Sequence, residues 1–388
     1  MNQKSKFGRL SVKGFRRLYD TQIDFTNRPL CAIIGANGVG KSSLLHVFRL
    51  LASSATGTLQ KYLSLQGNPS NIVTRGRSEA IRIGLATAED NNVPLNYVLD
   101  VAQRGTSYEI VHESLTEQIS TNAPKPFKYI DSNGLNIRYS DPKTNKLEKP
   151  TWRHNDFEAS LSQVPKMYER PERFREILAS FAFFGNLDVS ERSPIRLPQP
   201  FAPVAIPQTN GEETVTALYN LQQSAPDRYD LLIDSLRTVY PDLKSLGFLP
   251  VASGQMSMLW NEERYSKPFY ANELSEGTLR FLWLATILLS ESLPQLITID
   301  EPEVSMHPLM IENLVTLLRE AAKRTQIVIA THSERLVSNL APDEVLVADM
   351  EEGETTFAWA DQKENLEPWL EDYSLGQIWA MNLIGGRP

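Results

Sequence analysis

The sequence predicts an α/β fold: a phosphate-binding nucleotide domain with a β-rich N-terminal lobe and an inserted mixed or helical middle region. Three stretches predict it. Gly35-Ala36-Asn37-Gly38-Val39-Gly40-Lys41-Ser42 has the G-x-x-x-x-G-K-S spacing of a phosphate-cradling loop. Leu296-Ile297-Thr298-Ile299-Asp300-Glu301 is an apolar strand ending in two adjacent acids. Ile327-Val328-Ile329-Ala330 is a second apolar run, and Thr331-His332-Ser333 ends it.

The flanks of the first stretch carry as much as the match. Leu30-Cys31-Ala32-Ile33-Ile34 reads as a short buried strand, and the run from Ser43 to Leu51 as the helix that follows. Glycines permit the tight turn and the close approach of backbone N–H groups to phosphate. The helix N-terminus adds a favourable potential for an anion. Phosphate contacts are therefore expected at Gly35, Asn37, Gly38, Gly40, Lys41, Ser42 and Ser43. Lys41 would reach the β- and γ-phosphates of ATP, and the Ser42 hydroxyl would ligate Mg²⁺. Asp300 is expected in the Mg²⁺ shell, and Glu301 beside the attacking water. Two carboxylates closing an apolar strand are costly unless a cation or a polar site receives them.

Composition bounds the rest. The chain has 388 residues, 41% of them apolar, enough for one large domain or two smaller ones. A net charge of −8 gives no bulk support for nucleic-acid binding, although a local basic groove is compatible with it. The single cysteine, Cys31, excludes an intrachain disulfide and is expected in the core. No run of 18 apolar residues occurs, so a cytoplasmic protein without a membrane span is expected.

Taken in order, Phe7 to Phe15 and Asp20 to Phe25 read as strands. Lys4, Lys6, Arg9, Lys13, Arg16 and Arg17 are read mainly as a solvated face, with Arg16 and Arg17 at a turn within reach of a nucleotide. Gly57 to Asn71 is helix-compatible. Glu79 to Ala88, Pro94 to Val101 and Tyr108 to Ser114 read as strands, with a turn at Asp90-Asn91-Asn92. Phe127 to Ile130 and Leu135 to Tyr139 are expected to pair. Pro165 to Ala182 reads as helical. Five prolines between residues 190 and 210 argue for a loop. Glu212 to Val239 should be helical and divided at Pro226. Ser275 is a suitable N-cap for the apolar helix that follows, and with Gly277 it would present N–H groups to a phosphate. Sustained heptads are lacking between residues 115 and 265, so no long coiled-coil arm is expected.

Together these motifs resemble the ABC-type ATPase heads of the SMC and RecF group, in a compact bacterial branch. Lys13-Gly14-Phe15-Arg16 is similar to the opening of such heads. Gly35–Ser42 matches their Walker A motif, and Leu274-Ser275-Glu276-Gly277-Thr278 their signature. Leu296–Glu301 matches Walker B, Ser305-Met306-His307-Pro308 the D-loop, and the run ending at His332 the switch strand. Glu276 and Thr278 depart from the Leu-Ser-Gly-Gly-Gln signature of transporters. Gln66 and Asn71 lie in the region of the Q-loop, and neither has a convincing flank.

The resemblance implies catalytic roles for Glu301, His332 and Lys41, and an ATP-hydrolysing head built from residues 1–114 and 266–388 around a middle region of residues 115–265. It implies that Ser275 and Gly277 complete the nucleotide site of a second copy, so that ATP would drive a homodimer or larger assembly. The expected task is a switch in DNA repair or antiphage defence with a nuclease or toxin effector. The alternative is an ATP-controlled scaffold that holds an effector without touching nucleic acid. No H-x-H cluster or HNH-like pattern is visible, so the chain is not expected to cut DNA itself.

Overall fold

The computed structural model describes residues 6–67, 71–88, 94–105, 107–118, 125–141, 143–364 and 366–387. The sheet that carries the phosphate loop has six strands. Their order is Ala182–Phe184, Leu296–Asp300, Gln326–Ala330, Leu30–Ile34, Val345–Glu351, Glu354–Trp359. All neighbours pair in parallel except the last two, which form an antiparallel pair. Parallel strands of this kind are buried on both faces, which is why they read as unbroken apolar runs.

Each central strand feeds two separate cores. Leu30, Ala32 and Ile34 point to one, and Cys31 and Ile33 to the other. Ile327 and Ile329 join the first core, and Val328 and Ala330 the second. Side chains alternate across a strand, so five residues suffice to staple two layers together. The first core is closed by helices Thr214–Ser224, Pro226–Val239, Glu276–Leu289 and Pro308–Ala322. The second is closed by the phosphate-loop helix Lys41–Thr56, by helix Glu169–Ala179 and by the inner face of the N-terminal lobe.

That lobe is an eight-stranded sheet in the order Leu18–Asp24, Lys6–Phe15, Ala80–Ala88, Leu95–Arg104, Ser107–Glu117, Phe127–Asn133, Tyr139–Ser140, Leu147–Glu148. In Leu95–Arg104, Leu95, Tyr97 and Leu99 are buried while Asn96 is exposed, the alternation of a sheet with one wet face. The turn expected at Asp90-Asn91-Asn92 lies outside the described residues, as does Lys4. The expected pairing of Phe127–Ile130 with the Tyr139 segment is present as Ile130 opposite Tyr139.

Residues 115–265 run through all three layers. The expected boundary at residue 114 falls inside strand Ser107–Glu117. The run expected to be helical to Ala182 ends earlier: helix Glu169–Ala179 stops, and Ala182–Phe184 becomes the edge strand beside Leu296–Asp300. A third sheet is formed by Gln199–Pro200, Gln255–Glu262 and Leu243–Val251, with Phe269–Tyr270 pairing to Gln255–Glu262. It buries Met256, Met258 and Trp260 in the first core. Pro226 begins its helix, where a missing N–H costs no intrahelical bond. Among the described residues no helix is long and apolar enough to cross a membrane.

Candidate functional site

The phosphate loop leaves the buried strand Leu30–Ile34 and enters helix Lys41–Thr56. Two of its glycines are forced by their surroundings. Gly35 has φ 150°, and a Cβ there would sit 2.4 Å from the Ala348 carbonyl oxygen. Gly40, at the N-cap of the helix, has φ 122° and lies against Thr355. The Thr355 hydroxyl donates to the Val39 carbonyl at 2.6 Å, so the neighbouring hairpin fixes the loop from outside. Asn37 and Gly38 are exposed at its tip, while Gly35 and Gly40 are buried.

Lys41 is folded back over this loop. Its ammonium donates to the Gly35 carbonyl at 2.6 Å and to the Ala36 carbonyl at 3.0 Å. Burial lowers its pKa to about 8, against the pull of Asp300, Glu301 and Glu303. Ser42 is exposed, and its hydroxyl donates to Asp300 Oδ2 at 3.3 Å. Ser43 is buried in the first helical turn.

Asp300 ends the strand next to the switch strand, paired with Ala330. Burial raises its pKa, as does Glu301, while the Ser42 hydrogen bond, Lys41 and His332 oppose that rise. Glu301 is exposed and adopts a left-handed backbone, φ 50°, held by its N–H to the Ala330 carbonyl at 2.8 Å. Such a conformation is uncommon for a residue with a side chain and concentrates at functional turns. His332 follows the adjacent strand. Burial first, then Lys41, lowers its pKa, with Glu301 and Asp300 opposing. Burial thus favours the neutral imidazole, which donates from one nitrogen and accepts at the other.

Lys41, Ser42, Asp300, Glu301 and His332 thus come together at the carboxyl ends of three neighbouring strands. A ligand crevice in an open α/β sheet lies at that edge. Ser275 and Gly277 are placed elsewhere. Ser275 caps helix Glu276–Leu289, accepting the Thr278 N–H at 3.2 Å. Its hydroxyl also pairs with Thr278 Oγ1 at 2.7 Å, and Thr278 with the Tyr240 hydroxyl at 2.6 Å. Gly277 has no room for a side chain, because a Cβ would meet the Ser305 carbonyl oxygen at 2.2 Å. Among the described residues no hydrogen bond joins Ser275 to the phosphate loop.

Gly185 and Glu303 had no role in the sequence reading, and Gln66 and Thr278 take contacts it did not foresee. Gly185, after edge strand Ala182–Phe184, lines a cavity of about 100 Å³ with Ser42, Thr298 and Asp300. Phe183 and Phe184 line the same cavity, so the edge strand closes the space beside Ser42 and Asp300. Gln66 instead accepts from the Arg16 guanidinium at 2.5 Å. That contact turns Arg16 toward helix Leu59–Leu65, while Arg17 stays exposed. Thr278, a departure from the transporter signature, orients Ser275 from within the same turn. Glu303 reaches across to the switch strand, accepting from the Thr331 hydroxyl at 2.6 Å and from the His332 N–H at 3.1 Å. An apolar triplet before Gly-Asn, and a third acid in Asp-Glu-Pro-Glu, were the available signals.

The fold is that of SMC head domains. The Smc head bound to the C-winged helix domain of ScpA is 12% identical, with a TM-score of 0.56, over 94% of this chain and 99% of that one. A Smc head with an extended coiled coil, bound to the C-terminal domain of ScpA derived from Pyrococcus furiosus, is 9% identical. Its TM-score is 0.51, over 95% of this chain and all of that one (100%). No curated protein matches the sequence. Residues 30–338 match the family described as "AAA domain, putative AbiEii toxin, Type IV TA system". That span contains the phosphate loop, the paired acids and the switch histidine, and the chain belongs to this family of AAA domains, with the fold of SMC heads.

Proposed function

We propose that the chain is an ATP-binding and ATP-hydrolysing switch that closes as a dimer. The observation that carries this reading is the convergence of Lys41, Ser42, Asp300, Glu301 and His332 on one edge of the parallel sheet. The residues fit Mg²⁺-ATP. Gly35, Asn37, Gly38, Gly40, Lys41, Ser42 and Ser43 would hold the phosphates. Ser42 and Asp300, 3.3 Å apart, supply the hard oxygen donors that Mg²⁺ prefers. When bound, the cation neutralises phosphate charge and polarises the γ-phosphoryl group. Glu301, exposed beside Asp300, would take the proton of the attacking water. His332, its neutral form favoured by burial, would hold that water or the γ-phosphate by a hydrogen bond.

Ser275 and Gly277 belong in this reading to the site of a second copy. Residues 1–114 and 266–388 supply the motifs, and residues 115–265 the strands and helices that frame them. Both SMC heads above are bound to ScpA domains, and the family description names a toxin of a type IV system. These motivate a partner effector; that it is a toxin or a nuclease, governed by closure and reopening of the dimer in antiphage defence or DNA repair, is our proposal.

The test is sedimentation and turnover of Glu301→Gln. The amide preserves size and removes the base, so ATP should bind, hydrolysis should stop and a dimer should accumulate with saturating Mg²⁺-ATP. A monomer at high concentration under those conditions would remove the homodimer, and wild-type turnover would move the water chemistry to another residue.

A further inference from the structure

Glu303 is a half-buried carboxylate without a part in the chemistry above. One oxygen, Oε1, accepts from the two residues that follow the switch strand: the Thr331 hydroxyl at 2.6 Å and the His332 N–H at 3.1 Å. The Thr331 hydroxyl, its proton committed to Glu303, accepts the Ser333 N–H at 3.0 Å. Ser333 then caps helix Glu334–Ser338, accepting the Leu336 N–H at 3.1 Å. A single carboxylate therefore anchors Thr331, His332 and Ser333 in sequence. The other oxygen, Oε2, is buried and has no hydrogen-bond partner among the described residues.

An arrangement with one half of a carboxylate unpaired is expensive in a partly buried setting. Burial accordingly raises the pKa of Glu303, against the hydrogen bonds from Thr331 and His332. A glutamine would make the same two contacts through its carbonyl oxygen. The acid is not needed to tie two strands together either, since Leu296–Asp300 and Gln326–Ala330 already pair along five residues. What Glu303 adds lies beyond the end of that ladder, at the residues that leave the strand. It holds the Thr331 side chain and the His332 N–H, and so the stretch of backbone from which the imidazole departs.

We infer that Glu303 is a positioning residue for His332: it sets the switch histidine for hydrolysis without contacting the nucleotide. This rests on the reading of the site as an ATPase. A displacement of ~1 Å in such a constellation costs on the order of 10²-fold in rate. Glu303→Ala should therefore lower kcat by roughly 10- to 100-fold while leaving ATP affinity near wild type. Glu303→Gln, which keeps an acceptor at the same place, should restore most of the rate.

The experiment has two arms. In the first, hydrogen exchange of peptides covering residues 326–338 is followed without nucleotide in wild type, E303A and E303Q, with thermal melts as the folding control. Faster exchange at His332 and Ser333 in E303A, and near-native protection in E303Q, are expected. Unchanged protection in E303A overturns the inference, and this arm stands whether or not the protein hydrolyses ATP. In the second, kcat and ATP affinity are measured for E303A, H332A and the double variant. If Glu303 acts through His332, the double variant turns over like H332A alone. Rate losses that multiply would overturn the inference, since Glu303 would then act independently. So would E303Q as slow as a folded E303A, because charge and not position would then be the requirement. Absence of ATP binding by the wild type would instead sink the ATPase reading, with the exchange result intact. If E303A does not fold, E303Q decides: protection and rate near wild type sustain the inference, and loss of either overturns it.

Discussion

Replacing Gly277 by alanine separates nucleotide binding from turnover. An ideal Cβ at this position lies 2.2 Å from the Ser305 carbonyl oxygen, 3.2 Å from the Ser305 carbonyl carbon and 3.4 Å from the Met306 Cα. All three are backbone atoms, so no rotamer change relieves the clash. An ordinary contact of about 3.3 Å requires the Ser305 segment and the signature helix to part by about 1 Å. Overpacking of this kind costs about 1–3 kcal/mol in stability. The same ~1 Å, applied where two halves of a reacting site must meet, costs ~10²-fold in rate. The phosphate loop is built on other strands, so it should be untouched. Gly277→Ala should therefore bind ATP in calorimetry with near wild-type affinity, melt a few degrees lower and hydrolyse ATP on the order of a hundredfold more slowly. A folded G277A protein that turns over at the wild-type rate would refute this reasoning, because the contact would then have no bearing on the site.

Other expectations follow from single groups. Lys41→Ala removes the only ammonium on the phosphate loop and should weaken ATP binding by about 1.5–3 kcal/mol without unfolding the chain, measured by calorimetry. Since burial lowers the Lys41 pKa to about 8, its charge is lost as pH rises through that value. Wild-type ATP affinity should then fall between about pH 7 and 9, a window that the K41A protein should not show. Glu113 is fully buried and accepts from the Ser160 N–H at 2.5 Å, the Leu161 N–H at 2.8 Å and the Tyr97 hydroxyl at 2.9 Å. Glu113→Ala strands three donors and should cost about 3 kcal/mol or more in a denaturant titration. Cys31 is fully buried, and burial raises its thiol pKa, so it should resist alkylation until the protein unfolds, as mass spectrometry would show.

What the sequence made legible is what lies contiguous along it. The phosphate loop needs eight consecutive residues and a strand and helix on either side. The paired acids need one apolar run, and the capped signature helix one serine before it. Each is a local pattern with its own period or turn chemistry. Ala182–Phe184 is different, because three apolar residues after a helix carry no periodicity of their own. They become a strand only because Ile297 to Ile299 lie ready to pair with them. The sheet that includes Leu243–Val251 and Gln199–Pro200 is likewise assembled from separated segments. The role of Glu303 is hidden for the same reason. It depends on two strands being neighbours although 28 residues separate Glu303 from Thr331.

That adjacency gives the stretch from Asp300 to Pro308 a mechanical character. Two of its residues, Glu301 and Ser305, hold left-handed backbones with φ 50° and 62°, although neither is glycine. Conformations of this kind cost on the order of 1–3 kcal/mol each and persist only where the surroundings overdetermine them. Here they do. The Glu301 N–H is tied to Ala330 at 2.8 Å, and the Met306 N–H to the Glu303 carbonyl at 3.0 Å. Ser305 abuts Gly277, while Glu303 grips Thr331 and His332. The turn is therefore a bracket with the signature helix on one arm and the switch histidine on the other, and Glu301 sits in the bracket itself. A push at Gly277 can reach Glu301 and His332 without crossing the phosphate loop, which hangs from the Val345–Trp359 hairpin through Ala348 and Thr355. The phosphate loop and the bracket thus hang from different elements and meet at the Ser42–Asp300 hydrogen bond of 3.3 Å. Substitutions along the bracket should alter kcat, and substitutions along the hairpin should alter affinity.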